Sequence, residues 1–119
     1  VKAINLADKL GQFSDTWSPR IIARLNGQLV KLAKLEGEFV WHTHADEDEL
    51  FYVLEGELTM RLRDREVPLR PGDMFVVPRG VEHCPYAPCG ASVLLFEPEE
   101  TRHTGQVEHE RTVHDQAWI

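Results

Sequence analysis

Asn26-Gly27 falls between two apolar runs, RIIARL (residues 20–25) and QLVKLAKL (residues 28–35), and this dipeptide restricts the fold more than any other feature of the chain. Both residues tolerate the positive φ of a two-residue type I′ turn, and such a turn folds its flanks back as antiparallel strands. Taken alone, QLVKLAKLEGE would also pass as an amphipathic helix with Leu29, Leu32, Ala33 and Leu35 on one side. The turn and the neighbouring segments decide for strand.

The rest of the chain reads as short strands separated by turn chemistry. In ELTMRLR, Leu58, Met60 and Leu62 alternate with Thr59, Arg61 and Arg63, the period of a half-buried strand. LRPGD places Pro71 and Gly72 where a type II turn wants them, because proline presets the first φ and glycine accepts the positive second one. MFVVP follows, then ASVLLFEP, with residues 92–96 as its apolar body. NLADKLGQF (residues 5–13) predicts a short helical or irregular lead-in stopped by Pro19. The expected fold class is all-β, a sandwich or barrel. With 119 residues the chain suits one domain: an arm over about 1–19, a barrel over about 20–98 and a tail over about 99–119. The tail is polar until Ala117-Trp118-Ile119, which predicts docking on the body or on a second subunit. Apolar ends of this kind lead us to expect a homodimer.

Charge and composition exclude several partners. The net charge is −7 and Lys and Arg are not clustered, so no nucleic acid is expected as a partner. No run approaches the roughly 18 apolar residues of a membrane span, and VKAINLADKLGQFSD carries charge where a signal peptide needs an apolar segment. A cytoplasmic setting is therefore expected, with no membrane partner. Cys84 and Cys89, separated by PYAP, match neither a redox pair nor a zinc knuckle and read as two free thiols, buried or half-buried.

WHTHADEDELFYVLEGE (residues 41–57) concentrates the chemistry. On an extended segment His42 and His44 point the same way, which suits two imidazoles gripping one ion. DEDE then offers Asp46, Glu47, Asp48 and Glu49. Glu49 suits the spacing and would begin a strand with Phe51 and Val53 on its own face; Glu47 is the alternative, and the others read as a solvated acidic loop. PRGVEHCPY supplies a third imidazole, His83, after a Pro-x-Gly turn. Imidazole and carboxylate together favour a divalent transition metal: iron, manganese, nickel, cobalt or zinc. His103, His109 and His114 lack this context and read as tail or rim residues.

These residues resemble a known family. Gly37-x4-His42-x-His44-x4-Glu49-x6-Gly56 is similar to the first cupin motif, and Gly72-x5-Pro78-x-Gly80-x2-His83 to the second, with fifteen residues between Gly56 and Gly72. Two departures stand out: the first glycine is one residue closer to the histidine than usual, and Ala87 occupies a place where asparagine is common. The resemblance implies a double-stranded β-helix, a jelly-roll barrel, with His42, His44, Glu49 and His83 as ligands of an ion near its mouth. The chain looks most like the small single-domain cupins described as mannose-6-phosphate isomerase-like.

Two functional classes fit. A divalent ion with three neutral imidazoles and one carboxylate keeps a charge of about +1 and open positions, which favours a small anionic or oxygen-rich ligand and isomerase or dioxygenase chemistry. The alternative is a non-catalytic binding or storage barrel that uses the metal as an anchor. Catalytic residues are not assigned; Tyr86 and Cys84, close to His83, are the candidate pocket residues beyond the ligands.

Overall fold

The computed structural model describes residues 2–101 and 116–119. His103, His109 and His114 lie outside the described residues. Helix α1 (Leu6–Leu10) is capped by Asn5, whose side chain accepts from Asp8 N at 2.9 Å, and it ends at Gly11, well before Pro19. Strands β1 (Arg20–Leu25) and β2 (Gln28–Glu38) form the expected hairpin. Asn26 and Gly27 sit at φ 50° and 75°, the left-handed pair that a type I′ turn requires.

β2 is buried on both faces, with Leu32 turned outward and Ala33 inward. This explains why its sequence also reads as a helix: a strand covered on both sides loses its polar alternation. The outer cover is Leu10 and Phe13 from the N-terminal arm, joined by Ile119 from the chain's end. That end forms β8 (Ala117–Trp118), parallel to β1, with Ile119 N donating to Ile21 O at 3.0 Å. Ala117-Trp118-Ile119 thus docks on its own body, with Trp118 left half exposed.

The remaining strands are β3 (Glu49–Gly56), β4 (Leu58–Leu62), β5 (Glu66–Leu69), β6 (Met74–Val77) and β7 (His83–Pro98). Asp73 N donates to Arg70 O across Pro71-Gly72, with Gly72 at φ 94°, as the type II turn demands. The hydrogen-bonded order is β5-β4-β7-β2-β1-β8, and β3 bridges β6 and β7. Strand β7 organises the barrel. Its first part pairs with β4 and the end of β2; beyond Gly90 (φ 89°) it runs between β2 and β3. Both ends of this one strand therefore contribute polar groups to the barrel interior, His83 from one and Glu97 from the other.

The sequence predicts a strand only from Ala91, because Pro85, Pro88 and Gly90 all argue against one. The strand tolerates them where the chain turns a corner, and Pro85 still accepts through its carbonyl from Phe39 N at 3.0 Å. The inner face is filled by Leu35, Phe51, Val53, Met60, Val93 and Leu95. No helix of the described residues is long and apolar enough to cross a membrane.

Candidate metal centre

His42, His44, Glu49 and His83 come together in the barrel, all buried, with one potential ligand atom from each lying within 4.8 Å of the others. Two backbone devices build the cluster. His42 and His83 exchange both backbone hydrogen bonds, at 3.0 and 2.9 Å, which brings their rings to a centroid distance of 4.2 Å. Gly80 N donates to His44 O at 2.7 Å, and Arg79 N donates to Asp48 Oδ1 at 2.9 Å, so the Pro78-Arg79-Gly80 turn is tied to the acidic loop. Glu49 starts β3 on the face that also carries Phe51 and Val53.

The same local arrangement fixes two of the rings. His42 Nδ1 lies 2.9 Å from Val40 O, and His83 Nδ1 lies 2.9 Å from Val81 O. A carbonyl can only accept, so each Nδ1 carries a hydrogen, and in the neutral, metal-ready ring Nε2 is left with its lone pair. His44 Nε2 and His83 Nε2 lie 3.3 and 3.5 Å from Glu49 Oε1. None of these three buried atoms has a well-formed hydrogen bond. Each orphaned polar atom costs about 1–3 kcal/mol, and one divalent ion would satisfy all three at once. The spread of 4.8 Å is little more than twice a metal–nitrogen bond of about 2.1 Å. The donor set therefore fits a divalent transition ion.

Electrostatics prepares these groups for such an ion. Burial, followed by the neighbouring His83, lowers the His42 pKa from 6.5 to about 3, so this imidazole is neutral and needs no deprotonation at neutral pH. Burial pushes the Glu49 carboxyl up, yet the contacts of His44, His83 and Glu97 outweigh it and hold Glu49 well below the ordinary carboxylate range. Glu49 is the cluster's anion. Glu47, the alternative, instead accepts from Asp46 N at 3.1 Å, and Asp48 pairs with Arg79.

A cavity of about 30 Å³ adjoins the cluster, touching His42 and Glu49 on one side and Trp17, Phe39, Phe51 and Leu95 on the other. Trp17 stacks on Phe39 at 4.5 Å, and Phe39 meets His42 edge-on at 5.5 Å. Trp17 sits at φ 58°, a conformation that bulky residues rarely adopt, held by Nε1 donating to Glu36 O and its own N donating to Lys34 O. Sequence reading missed Trp17.

Tyr86 and Cys84, the candidate pocket residues, do not line this cavity. On β7 they alternate with His83 and Pro85 and face the other way: Tyr86 lies under the Arg61 guanidinium at 4.0 Å, and Cys84 Sγ lies 3.6 Å from Phe39 O. The thiol expectation is also corrected in part, since Cys84 is buried but Cys89 is exposed. Ala87 is buried in the core.

Sequence reading also missed Lys31 and Glu97, two fully buried charged side chains joined at 2.8 Å. A signal was present. Lys31 occupies the inward series Leu29, Lys31, Ala33, Leu35, and Glu97 the inward series Val93, Leu95, Glu97. Burial and the Glu49 charge push the Glu97 carboxyl well above the ordinary range, against the pull of Lys31.

Fold and site together define a small jelly-roll barrel with a buried three-histidine, one-glutamate cluster. Residues 28–97, more than half of the chain, match the cupin domain family Cupin_2, and the chain belongs to it. The crystal structure of a cupin-2 domain containing protein from Shewanella frigidimarina NCIMB 400 superposes with a TM-score of 0.80 and 49% identity, covering 81% of this chain and 94% of that one. YdbB of Bacillus subtilis (strain 168) is 44% identical over 63 residues, 52% of this chain and 56% of YdbB. The 3-hydroxyanthranilate 3,4-dioxygenase of Xanthomonas campestris pv. campestris (strain B100) is 37% identical over 65 residues, 50% of this chain and 37% of the enzyme. This chain spans little more than half of YdbB and little more than a third of the dioxygenase.

Proposed function

We propose that this protein is a metal-dependent cupin of the oxygenase type, with His42, His44, His83 and Glu49 holding one divalent transition ion. Its substrate class is a small molecule that offers phenolic or carboxylate oxygens to the ion and a flat apolar body to Trp17 and Phe39. The single observation behind this reading is the junction of two unlike surfaces: a cluster of orphaned buried donors opening onto an apolar, aromatic-lined cavity. A bound divalent ion would supply Lewis acidity and, if redox-active, a route for electrons between substrate and dioxygen.

The protein's own groups would do the rest. Val40 O and Val81 O hold the His42 and His83 rings in register, Glu49 provides the one negative charge, and the aromatic wall excludes water. The similarity to a dioxygenase over half of this chain supports oxygen chemistry over sugar isomerisation, as does the wall, since a polyhydroxylated sugar requires polar partners. A cavity of about 30 Å³ has room for one or two water-sized molecules, so a ring-sized ligand must displace part of the Trp17–Phe39 stack.

A second reading, a binding or storage barrel with the metal as anchor, draws on one observation. Among the described residues, His42 and Glu49 are the only acid–base groups on the cavity wall. Oxygen consumption separates the two. Anaerobically Fe(II)-loaded protein should take up O₂ when given 3-hydroxyanthranilate or a related hydroxylated aromatic acid, and Glu49→Gln should abolish uptake while keeping a β-rich circular dichroism spectrum. One Fe(II) per chain with no uptake on any such compound would favour the binding barrel.

A further inference from the structure

Lys31 and Glu97 have no role in the ligand set, yet they are 1% and 0% exposed and lie 2.8 Å apart inside the barrel. A buried ion pair is a poor stabilising device. Stripping water from both charges costs about as much as their attraction returns, and apolar residues of similar volume commonly serve as well or better. The geometry points to another use.

β3 and β7 pair as Leu50↔Phe96 and Phe51↔Leu95, so one step further along the same register Glu49 faces Glu97. That register sets the two carboxyl-bearing side chains side by side on the inner face, and Glu97 is paired at 2.8 Å with Lys31, which lies diagonally across on β2 (Lys31↔Leu95). A chain of contacts thus runs Lys31–Glu97–Glu49, while Glu49 Oε1 faces His44 and His83 at 3.3 and 3.5 Å. A carboxylate on a single side chain can rotate about its last bond. Holding it from the side away from the imidazoles removes that freedom before any ion arrives.

We propose that Glu97, anchored by Lys31, is a positioning residue that fixes the Glu49 carboxylate toward the three imidazoles and so sets how tightly the centre binds a divalent ion. The proposal rests on the metal-centre reading above. Groups that orient a metal ligand in this way typically change affinity by about 10–100-fold when removed.

The test is Co(II) titration of the full chain, followed by calorimetry and by the visible d–d spectrum, which reports coordination geometry. Lys31→Met/Glu97→Met removes the two buried polar partners together and leaves neither unpaired, so this variant should fold with stability equal to or above the wild type. Its Co(II) affinity should fall about 10–100-fold, with a shifted d–d spectrum. Lys31→Met/Glu97→Gln puts back a polar side chain of the same length beside Glu49 without its Lys31 anchor, and should recover part of the affinity and of the wild-type spectrum. Wild-type affinity and spectrum in the Met/Met variant overturn this proposal alone, as does failure of the Gln variant to recover either. Absence of Co(II) binding by the wild type overturns the metal centre and this proposal with it.

Discussion

Gly56 ends β3, and an alanine there should be among the most damaging single substitutions in the chain. A Cβ built at Gly56 would lie 2.2 Å from Gly90 O, 2.8 Å from Ala91 Cα and 3.0 Å from Gly90 C. All three are backbone atoms of β7 at its corner, so none can swing aside as a side chain would. Gly56 also has φ 77°, where an L-residue pays about 1–2 kcal/mol. Forcing β3 from β7 adds about 1–3 kcal/mol by analogy with overpacked cores. The reduced freedom of the unfolded alanine chain returns about 0.4–1 kcal/mol. The net loss is about 1–5 kcal/mol, centred near 3. Gly37 is the control, since it shares a positive φ (80°) but a Cβ added there would meet nothing within 4 Å; Gly37→Ala should cost about 1 kcal/mol. Urea unfolding with unchanged m-value measures both. Equal losses in the two variants would refute the close approach of β3 to the β7 corner.

Three further outcomes are expected. Because the folded His42 pKa lies near 3 and the unfolded one at 6.5, the unfolded chain binds the extra proton between those values, and this contribution to metal-free stability falls as pH drops through that window. The slope is about 1.4 kcal/mol per pH unit; Glu97, pushed upward, contributes with the opposite sign, so the measurement is the stability of wild type minus His42→Gln at each pH, and a flat difference would contradict the buried neutral imidazole. Trp17→Ala should destabilise by about 3–5 kcal/mol through lost burial, and Trp17→Gly should prove the more stable of the two because glycine accepts φ 58°; thermal melts giving the usual order, alanine above glycine, would argue against the strained backbone. Tyr86→Phe should leave divalent-ion affinity unchanged in calorimetry, since its ring faces Arg61 rather than the cavity; a large change would restore Tyr86 to the site.

What the sequence disclosed and what it withheld follow one physical division. Local signals were legible: the Asn26-Gly27 turn, the alternation of Leu58, Met60 and Leu62, and the Pro71-Gly72 turn each depend on a few adjacent residues, and each appears as expected. His42, His44 and Glu49 were legible because they stand close together in one short segment; His83, far along the chain, was legible through the Pro-x-Gly-x-x-His element that resembles the second cupin motif. The pocket was less so. Period-2 reasoning should have turned Tyr86 and Cys84 away from His83, but Pro85 and Pro88 hid the strand on which that reasoning depends. Lys31 and Glu97 meet across strands far apart in the chain, and only the combined registers of β2, β7 and β3 bring them to Glu49. Trp17 depends on a backbone conformation that its side chain disfavours, so no propensity argument would place it over the cavity.

Whether the four buried side chains form one metal centre is decided by elemental mass spectrometry of protein purified without chelator and without added metal, beside His42→Ala. About one transition-metal ion per wild-type chain is expected, with a sharp loss in the variant and β-rich circular dichroism in both. Little metal in either protein, and none taken up when divalent ions are added, would contradict the metal centre.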